Sequence, residues 1–356
     1  MRKDNKKYFS KTDIYVGLDV HQKSWAVSIY VENIYYKSFS ISPPSCKVLA
    51  EFLEKNFIGG RYHVVYEAGF SGFWIYDELM EKGIDCVVVS PADIPMSNKN
   101  RNFKTDRNDS KQLAQKLKSG ILEGIHIPEK IQREHRALLR LRNKFVKDRT
   151  RIKNYIRSNL MFFGKVIGED YEDTKSWSKK FVQGLQGIKY LSNEGKDVIQ
   201  ELLKMLNVYD EAIKEVDRKI KQLSLTQQYR KDVEILCSVP GISTLSAMIL
   251  ITEIGDFNRF IDTNKLKSYI GLIPQEHSSG EKEIKTGITK RGNKFLKKII
   301  IEASWVAIRK DKTLLSLYTK LTKRMRGSKA IIVISGILLN RMRSIMRKKE
   351  FYRIAA

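Results

Sequence analysis

The sequence predicts an α/β fold with a mixed sheet at the N-terminus, followed by long helices and a mainly α C-terminal part. The first observation is that short β-branched segments alternate with helical patterns up to about residue 120. The second is that apolar residues then recur at intervals of three and four across two long, highly charged stretches. The third is a further series of helical patterns from residue 232 onward. Together they predict three parts with the boundaries 1–127, 128–230 and 231–356.

The N-terminal part is a series of segments with strand or helix patterns. The strands are rich in β-branched and aromatic residues, whereas the helices place apolar residues on one face. Thr105 is suited to cap the last helix. In chain order the predicted elements are strands 14–20, 25–31 and 34–40, helix 46–57, strand 62–67, helix 73–83, strand 84–90 and helix 106–120. This order is typical of an α/β layer fold with a mixed sheet.

The rest of the chain has helical patterns of two kinds. Residues 134–163 and 193–225 predict two long amphipathic helices, which form either an antiparallel pair or an intermolecular coiled coil. A helix, a Pro-Gly-Ile turn and a second helix begin at residue 232. Such a hairpin either presents backbone N–H groups to a phosphate or is a plain connection between helices. Further helices are predicted at 263–270, 291–309 and 312–348.

The charge of the chain indicates a polyanionic partner. Its 66 Lys and Arg residues exceed its 40 Asp and Glu residues by 26, and the isoelectric point is near 9.8. A surplus of this size favours nucleic acid as the partner, with a membrane surface as the alternative. Residues 1–118 hold 18 basic and 14 acidic residues, so nearly all of the surplus lies beyond them. The N-terminal part is therefore the place to expect an acidic site.

Several classes of protein are disfavoured. No apolar run reaches the roughly 18–20 residues that a membrane-spanning helix needs. The N-terminus lacks the apolar segment of a secretory signal, so we expect a cytoplasmic protein. Cys46, Cys86 and Cys237 are far apart and lack the spacing of metal ligands, which predicts reduced thiols in the core.

Four carboxylates lie where a metal site could use them. Asp19 ends the first predicted strand, Glu67 ends the fourth, and Asp106 and Asp109 share the first turn of a helix. Each has a simpler explanation, as a turn residue or as a favourable charge at a helix N-terminus. Taken together, on the element order of an RNase H-like sheet, they are expected to converge at one sheet edge. Such a set of hard oxygen ligands predicts Mg²⁺ or Mn²⁺ and phosphoryl transfer.

A family resemblance rests on several segments in order. YVGLDVHQKSW, VYEAGFSGFW, KTDRNDSKQLA, VPGIS, TEIGDFNRF and GLIPQEHSSGEKEIKTGITKRGNK resemble the DEDD-type insertion-sequence transposases of the insertion sequence 110 family, related to the Piv DNA invertase. The resemblance implies a RuvC-like N-terminal domain with an RNase H fold, a coiled-coil linker and a C-terminal transposase domain. It also implies that Asp19, Glu67, Asp106 and Asp109 bind metal and that Ser279, followed by Gly280, is a catalytic serine.

The resemblance also implies partners. Members are site-specific recombinases that act on donor and target DNA, are guided by a structured bridge RNA and work as multimers. A dimer or tetramer that is associated with the bacterial nucleoid is therefore expected. The nucleic-acid contacts are assigned to basic residues near the two sites, although solubility alone would also explain some of them. These residues are Lys104, Arg107, Lys282, Lys285, Lys290, Arg291 and Lys294.

Two other serines compete with Ser279 for the role of nucleophile. Ser278 is its neighbour, and the family pattern favours the serine that precedes glycine. Ser243 stands where the hairpin motif commonly has a second glycine. If that position needs a positive φ, Ser243 is strained and the phosphate-binding interpretation of the turn weakens. We expect instead that Ser243 caps the following helix.

Two alternatives to a recombinase stay open. The first is a metal-dependent, structure-specific nuclease of the junction-resolvase type, which would use the same carboxylates with water as the nucleophile. The second is a non-enzymatic scaffold that binds RNA or DNA through its basic helices. A covalent adduct with DNA distinguishes the recombinase from the nuclease, and metal-dependent nicking distinguishes both enzymes from the scaffold.

Overall fold

The computed structural model describes residues 8–95, 105–165, 177–279, 282–289 and 291–354, without the side chains of 275–279 and 282–286. The chain divides into two units, Met1–Ile127 and Pro128–Ala356. The first boundary predicted from the sequence lies at the same position. None of the described helices is long and apolar enough to cross a bilayer.

The first unit contains a five-stranded mixed sheet in the order β3-β2-β1-β4-β5. β1, β2 and β3 are antiparallel neighbours, whereas β4 pairs parallel with both β1 and β5. The elements begin and end within about two residues of their predicted bounds. They are β1 Asp13–Val20, β2 Trp25–Val31, β3 Ile34–Ile41, α1 Cys46–Asn56, β4 Arg61–Glu67, α2 Trp74–Glu81, β5 Asp85–Val89 and α3 Asp106–Lys118.

Helices cover both faces of this sheet. On one face, Ile14, Val16 and Leu18 of β1 belong to the same core as Leu49 of α1 and Leu79 of α2. The other face carries a smaller core, in which Val65 of β4, Val89 of β5 and Leu113 of α3 pack together. Because side chains alternate along a strand, the odd-numbered residues of β1 and β4 face α3. This alternation decides which strand-end residues lie beside the N-terminus of α3.

The second unit begins with two long helices that pair within the chain. α4 spans Lys130–Phe162 and α6 spans Asn193–Ser224, and the short helix α5 (Lys179–Gln186) packs near their far end. Arg142 pairs with Asp217 at 2.6 Å and Arg149 with Asp210 at 2.7 Å. The residue numbers of these pairs increase along α4 and decrease along α6, so the two helices are antiparallel. The predicted antiparallel pair is therefore confirmed. The helix α5 was not predicted.

The remaining helices share one hydrophobic core with the base of this pair. Leu139 of α4 and Val216 of α6 belong to that core. The helices are α7 Arg230–Cys237, α8 Thr244–Ile254, α9 Thr263–Ile270, α10 Lys294–Lys310, α11 Lys312–Thr322 and α12 Gly327–Lys348. A two-stranded antiparallel hairpin, β6 Pro274–Ser279 and β7 Lys282–Ile288, lies between α9 and α10.

One prediction for this unit is wrong in detail, and one element was missed. Residues 312–348 form two helices and not one, with Arg326 in an extended conformation before α12. The break lets Leu321 of α11 and Ala330 of α12 enter the same core, which one straight helix would prevent.

The strands of the β6–β7 hairpin, Pro274–Ser279 and Lys282–Ile288, were not predicted from the sequence. Cys46 and Cys86 are buried and Cys237 is half-buried, and all three thiols are free, as predicted.

Candidate metal centre and serine hairpin

Asp19 and Glu67 lie side by side at the same edge of the sheet. β1 and β4 are parallel, and Leu18 is in register with Tyr66. Asp19 and Glu67 each lie one residue farther along their strand, so they are neighbours. Gly17 and Val65 face α3. Asp19 and Glu67 each lie two residues beyond one of them, so they are on the same face of the sheet. Asp19 is half-buried, whereas Glu67 is exposed. The two strand ends therefore lie at the same edge of the sheet, and the role of both carboxylates as metal ligands stays a prediction.

The N-terminus of α3 brings two further carboxylates to this edge. The hydroxyl of Thr105 accepts a hydrogen bond from the backbone N–H of Asn108 at 3.3 Å, so Thr105 caps the helix as predicted. Asp106 and Asp109 lie in the first turn, where negative charge is favourable. This turn starts directly beside the end of β1.

Gly17 of β1 allows α3 to pack this closely. A Cβ atom at Gly17 would lie 2.0 Å from the carbonyl oxygen of Ser110 and 2.5 Å from the backbone nitrogen of Ala114. Below the helix, the hydroxyls of Ser28 and Ser110 are 2.8 Å apart in a fully buried contact. A glycine two residues before an aspartate at a strand end is a pattern that sequence reasoning passed over.

His21 lies between two of the carboxylates. Its Nε2 atom is 3.3 Å from Oδ2 of Asp19 and 3.5 Å from Oδ2 of Asp106. In the described part of the chain these three residues form the one group of His, Cys, Asp or Glu whose ligand atoms all lie within 4.8 Å of one another. The backbone N–H of His21 donates to Ser24, which holds the histidine in the turn after β1. His21 was not among the site residues predicted from the sequence.

The electrostatics show that negative charge accumulates around Asp19. Burial raises the pKa of Asp19, and the charges of Asp106 and Asp109 raise it further, while His21 lowers it. Burial lowers the pKa of Lys116 on α3, against the opposing influence of Glu67 and Asp109. Lys116 thus interacts electrostatically with Glu67 and Asp109, the two predicted carboxylates that are outside the group of Asp19, His21 and Asp106.

The donor set of this edge suits a divalent cation. The charges of Asp106 and Asp109 raise the pKa of Asp19, so the gathering of these carboxylates beside one imidazole nitrogen is unfavourable unless a cation neutralises them. Carboxylate oxygens are the ligands that Mg²⁺ and Mn²⁺ prefer. The chemistry that such a site supports is the activation of a phosphate or a water molecule.

The candidate nucleophile lies in the second unit. Ser279 is the last residue of β6 and pairs with Lys282 of β7. The side chains of Ser279, Lys282 and Lys285 are outside the described residues, and so are Lys104 and Lys290 entirely. Arg107, Arg291 and Lys294 are described and exposed. Arg107 follows Asp106 directly, Arg291 lies between the hairpin and α10, and Lys294 is the first residue of α10.

The root of this hairpin is closely packed. Gly271 and Gly292 have φ values of +85° and +98°, and a Cβ at Gly271 would lie 2.4 Å from the carbonyl oxygen of Arg291. The backbone N–H of Thr289 donates to Ile273 at 3.0 Å. The two chain segments can approach this closely because neither glycine has a side chain. The hairpin therefore leaves the helical core from a fixed base.

A buried carboxylate supports that base. Glu253, near the end of α8, is only 1% exposed. It accepts two hydrogen bonds from the guanidinium of Arg140, at 2.7 and 2.9 Å, and one from the amide of Asn293 at 2.9 Å. Asn293 also caps α10 by accepting from the backbone N–H groups of Phe295 and Leu296. This contact joins the long helix α4 to the residues that follow the hairpin.

Ser243 has the structural role that was expected of it. Its φ of −94° is ordinary, and its hydroxyl accepts a hydrogen bond from the backbone N–H of Ser246 at 3.3 Å, so it caps α8. The positive φ of the turn belongs to Gly241, at +87°. Replacing the motif's second glycine by Ser243 therefore causes no strain.

Two family models match the chain. One of the DEDD type, named for IS110 and described as Transposase, matches residues 16–163, a range that includes all four candidate carboxylates. The other, described as Transposase IS116/IS110/IS902 family, matches residues 233–319, which include Ser279.

Curated relatives are similar over most of the chain. A transposase for insertion sequence element IS1111A from Coxiella burnetii is 29% identical over 306 residues, which are 82% of this chain and 80% of that protein. A transposase for insertion sequence element IS1533 from Leptospira borgpetersenii is 27% identical over 69% of this chain and 71% of its own length. A putative transposase, y4qE, from Sinorhizobium fredii is 28% identical, and there the match spans 67% of this chain but 57% of the relative.

Proposed function

Because the chain belongs to the IS110 family of insertion-sequence transposases, we propose that it cuts and rejoins DNA through a covalent bond to Ser279. In this proposal residues 1–127 are a RuvC-like domain with an RNase H fold. Residues 128–230 are a coiled-coil linker, and residues 231–356 are the transposase domain that carries the serine. The observation that supports the proposal most is the meeting of Asp19 and Asp106, from separate elements, beside one imidazole nitrogen.

The carboxylates have a common role. Asp19, Glu67, Asp106 and Asp109 hold a divalent cation, Mg²⁺ or Mn²⁺. When bound there, the cation would withdraw charge from a scissile phosphate. The half-burial of Asp19 and the alignment of the two parallel strands keep these carboxylates at one edge. Gly17 contributes by letting α3 reach that edge.

Ser279 carries out the exchange. A bond forms between its Oγ atom and the DNA phosphorus, while the bond from phosphorus to one DNA oxygen breaks. The serine hydroxyl loses its proton as it attacks, and the released oxygen takes up a proton and becomes a free hydroxyl, so the proton count balances. Attack by the hydroxyl of a new DNA partner reverses the step and frees the serine. Because the phosphoserine keeps the energy of the broken bond, rejoining needs no ATP.

The basic residues bind nucleic-acid backbone. Each would neutralise a phosphate of DNA or of a bridge RNA, so that binding weakens steeply as the salt concentration rises. The proposed contacts are Lys104, Arg107, Lys282, Lys285, Lys290, Arg291 and Lys294. We further propose that a dimer or tetramer assembles, with the serine of one protomer acting beside the carboxylates of another.

Trapping on a nicked DNA substrate tests the proposed nucleophile. The wild-type protein should form an adduct that survives denaturation, and Ser279→Ala should not. Ser278→Ala is the matched control, because it removes the neighbouring hydroxyl in the same strand, and it should still form the adduct. An adduct in Ser279→Ala would show that another residue is the nucleophile. Metal-dependent nicking with no adduct in any variant would favour the nuclease with water as nucleophile.

Two further experiments test the metal site and the guide. Asp106→Asn should abolish cleavage while DNA binding persists, because the exposed side chain of Asp106 is replaced by a neutral one of the same shape. Sequencing of RNA that co-purifies with the protein tests the bridge RNA. A discrete structured species supports guided recombination, whereas random fragments contradict it.

A further inference from the structure

The contacts of His21 differ from those of an ordinary hydrogen-bonded histidine. A single nitrogen, Nε2, faces two carboxylate oxygens at 3.3 and 3.5 Å. Charge-assisted hydrogen bonds between nitrogen and carboxylate are about 2.7–2.9 Å long. A single N–H group on Nε2 would have to be shared between the two oxygens, which weakens each contact. The arrangement therefore satisfies neither carboxylate well.

His63 in the same unit provides the comparison. Its Nδ1 atom lies 3.0 Å from Asp85 and its Nε2 atom 3.0 Å from Asp13. Here each ring nitrogen serves one carboxylate at hydrogen-bond distance. His63 and His21 are thus both histidines between two aspartates, but His63 gives each carboxylate its own nitrogen at 3.0 Å, whereas His21 presents one nitrogen to both and makes one long hydrogen bond of 3.3 Å, to Asp19.

The spacing around His21 matches that of ligands around one ion. Ligands about 2.1 Å from an octahedral ion lie about 3 Å apart when they are adjacent. Nε2 lies only slightly farther than this from each Oδ2 atom, and a small inward movement of the half-exposed imidazole would close the difference. An ion between Asp19 and Asp106 would be coordinated by the lone pair of Nε2, provided that this nitrogen carries no proton.

We propose that Nε2 of His21 is a direct ligand of the cation held by Asp19 and Asp106, which makes the centre a mixed nitrogen and oxygen site. The proposal rests on the metal-dependent function proposed above and adds a ligand to it. Imidazole nitrogen favours transition-metal ions, whereas Mg²⁺ prefers oxygen ligands and retains its water. His21 consequently biases the site toward Mn²⁺ over Mg²⁺.

Pulsed electron paramagnetic resonance of the full-length protein with MnCl₂ alone tests the ligand directly. Bound Mn²⁺ should show modulation from a coordinated ¹⁴N nucleus in the wild type. The modulation should disappear in His21→Gln and persist in His63→Gln, the matched control. Asp19→Asn should greatly reduce the bound Mn²⁺ signal, which assigns that signal to this site. Circular dichroism checks that each variant is folded.

Calorimetric titration tests the selectivity. His21→Gln should weaken Mn²⁺ binding at least about tenfold, the scale found when groups at a metal site are removed. Mg²⁺ binding should change by less than about threefold, because an amide oxygen can replace the imidazole for a hard cation. The Mn²⁺ preference of the wild type should therefore be lost.

The outcomes separate this inference from the proposed function. Mn²⁺ bound at the Asp19 site without nitrogen coupling would overturn the ligand role of His21 and leave the carboxylate site intact. Equal losses of Mn²⁺ and Mg²⁺ in His21→Gln would also overturn it, because His21 would then act only by orienting Asp19. Absence of any Mn²⁺ binding to the wild type would overturn the metal-dependent function itself, and this inference with it.

Discussion

The backbone of Gly17 lies against the carbonyl of Ser110 so closely that a Cβ atom at Gly17 would be 2.0 Å from that oxygen. The residues are on different elements, β1 and α3, and their contact sets the distance between the end of the strand and the first turn of the helix. Asp19 is two residues beyond Gly17, and Asp106 is one helical turn before Ser110. The contact therefore determines whether these carboxylates can share a cation.

We expect Gly17→Ala to push α3 away from the sheet. Overpacking of this kind costs about 1–3 kcal/mol, and more where backbone atoms cannot move aside. The free energy of unfolding, measured in urea, should fall by at least that amount, and Mn²⁺ affinity should fall with it. Gly69→Ala is the control, because its added Cβ would meet nothing nearer than 4.0 Å. Equal stability of the two variants would contradict the close contact at Gly17.

Asp19→Asn should stabilise the metal-free protein at neutral pH. Burial and the charges of Asp106 and Asp109 raise the pKa of Asp19 in the folded state, so ionisation favours the unfolded chain. This penalty is absent below the unfolded-state pKa and is complete above the folded-state pKa. Thermal unfolding in a chelator should give a higher midpoint for the variant at pH 7 and no difference at low pH. Excess Mn²⁺ should reverse the order, and a lower midpoint for the variant in chelator would refute this account.

Glu253→Ala should destabilise the second unit. The change removes the partner of Arg140 and Asn293 from a site where Glu253 is almost fully buried. We expect a loss of about 2–4 kcal/mol in the free energy of unfolding, since buried hydrogen bonds to a charged group are lost.

Glu302→Ala is the matched control for Glu253→Ala. Glu302 pairs with Lys298 at 3.6 Å on the surface of the same unit, and both side chains are exposed. Exposed pairs contribute little, so a change of about 0.5 kcal/mol or less is expected in the same urea titration. Comparable losses from both substitutions would mean that the Glu253 contacts do not stabilise the base of the hairpin.

Asp311 should contribute stability that is lost in acid. Burial disfavours its charged form, but hydrogen bonds from Thr313 and Tyr352 and the charge of Arg341 outweigh that influence and lower the pKa to about 2. A lowered pKa stabilises the fold above the unfolded-state value of 3.8 and ceases to do so as the pH falls to about 2. Asp311→Asn should therefore be clearly less stable than wild type at pH 7, with a smaller difference near pH 2 by urea unfolding. A difference that does not change with pH would contradict the role of the Asp311 charge.

The regularity of each pattern explains which elements could be predicted. β1 has buried residues at Ile14, Val16 and Leu18, and β4 has a buried run at residues 64–66, so their apolar and β-branched patterns located them within about two residues. The hairpin β6–β7 was missed because its strands, PQEHSS and KEIKTGI, are dominated by polar residues. The break at Arg326 was missed because the helical pattern continues on both sides of it.

The candidate site was predictable to a similar degree. The positions of Asp19 and Glu67 at strand ends, and of Asp106 in a helical first turn, follow from local patterns and imply that they converge. His21 could not be assigned in this way, because a residue two positions after a strand-end aspartate can point in any direction. Its place beside Asp106 depends on a turn and on a helix 85 residues away in the chain.

The sequence by itself determined the acidic residues, the periodicities and the family pattern, because each of these lies within a short segment or in the order of segments. Only the tertiary structure decided that Gly17 accommodates α3, that His21 faces two carboxylates and that Glu253 joins Arg140 to Asn293. The physical reason is that these contacts join residues far apart in the chain, whose separation is set by packing and not by local conformational preference.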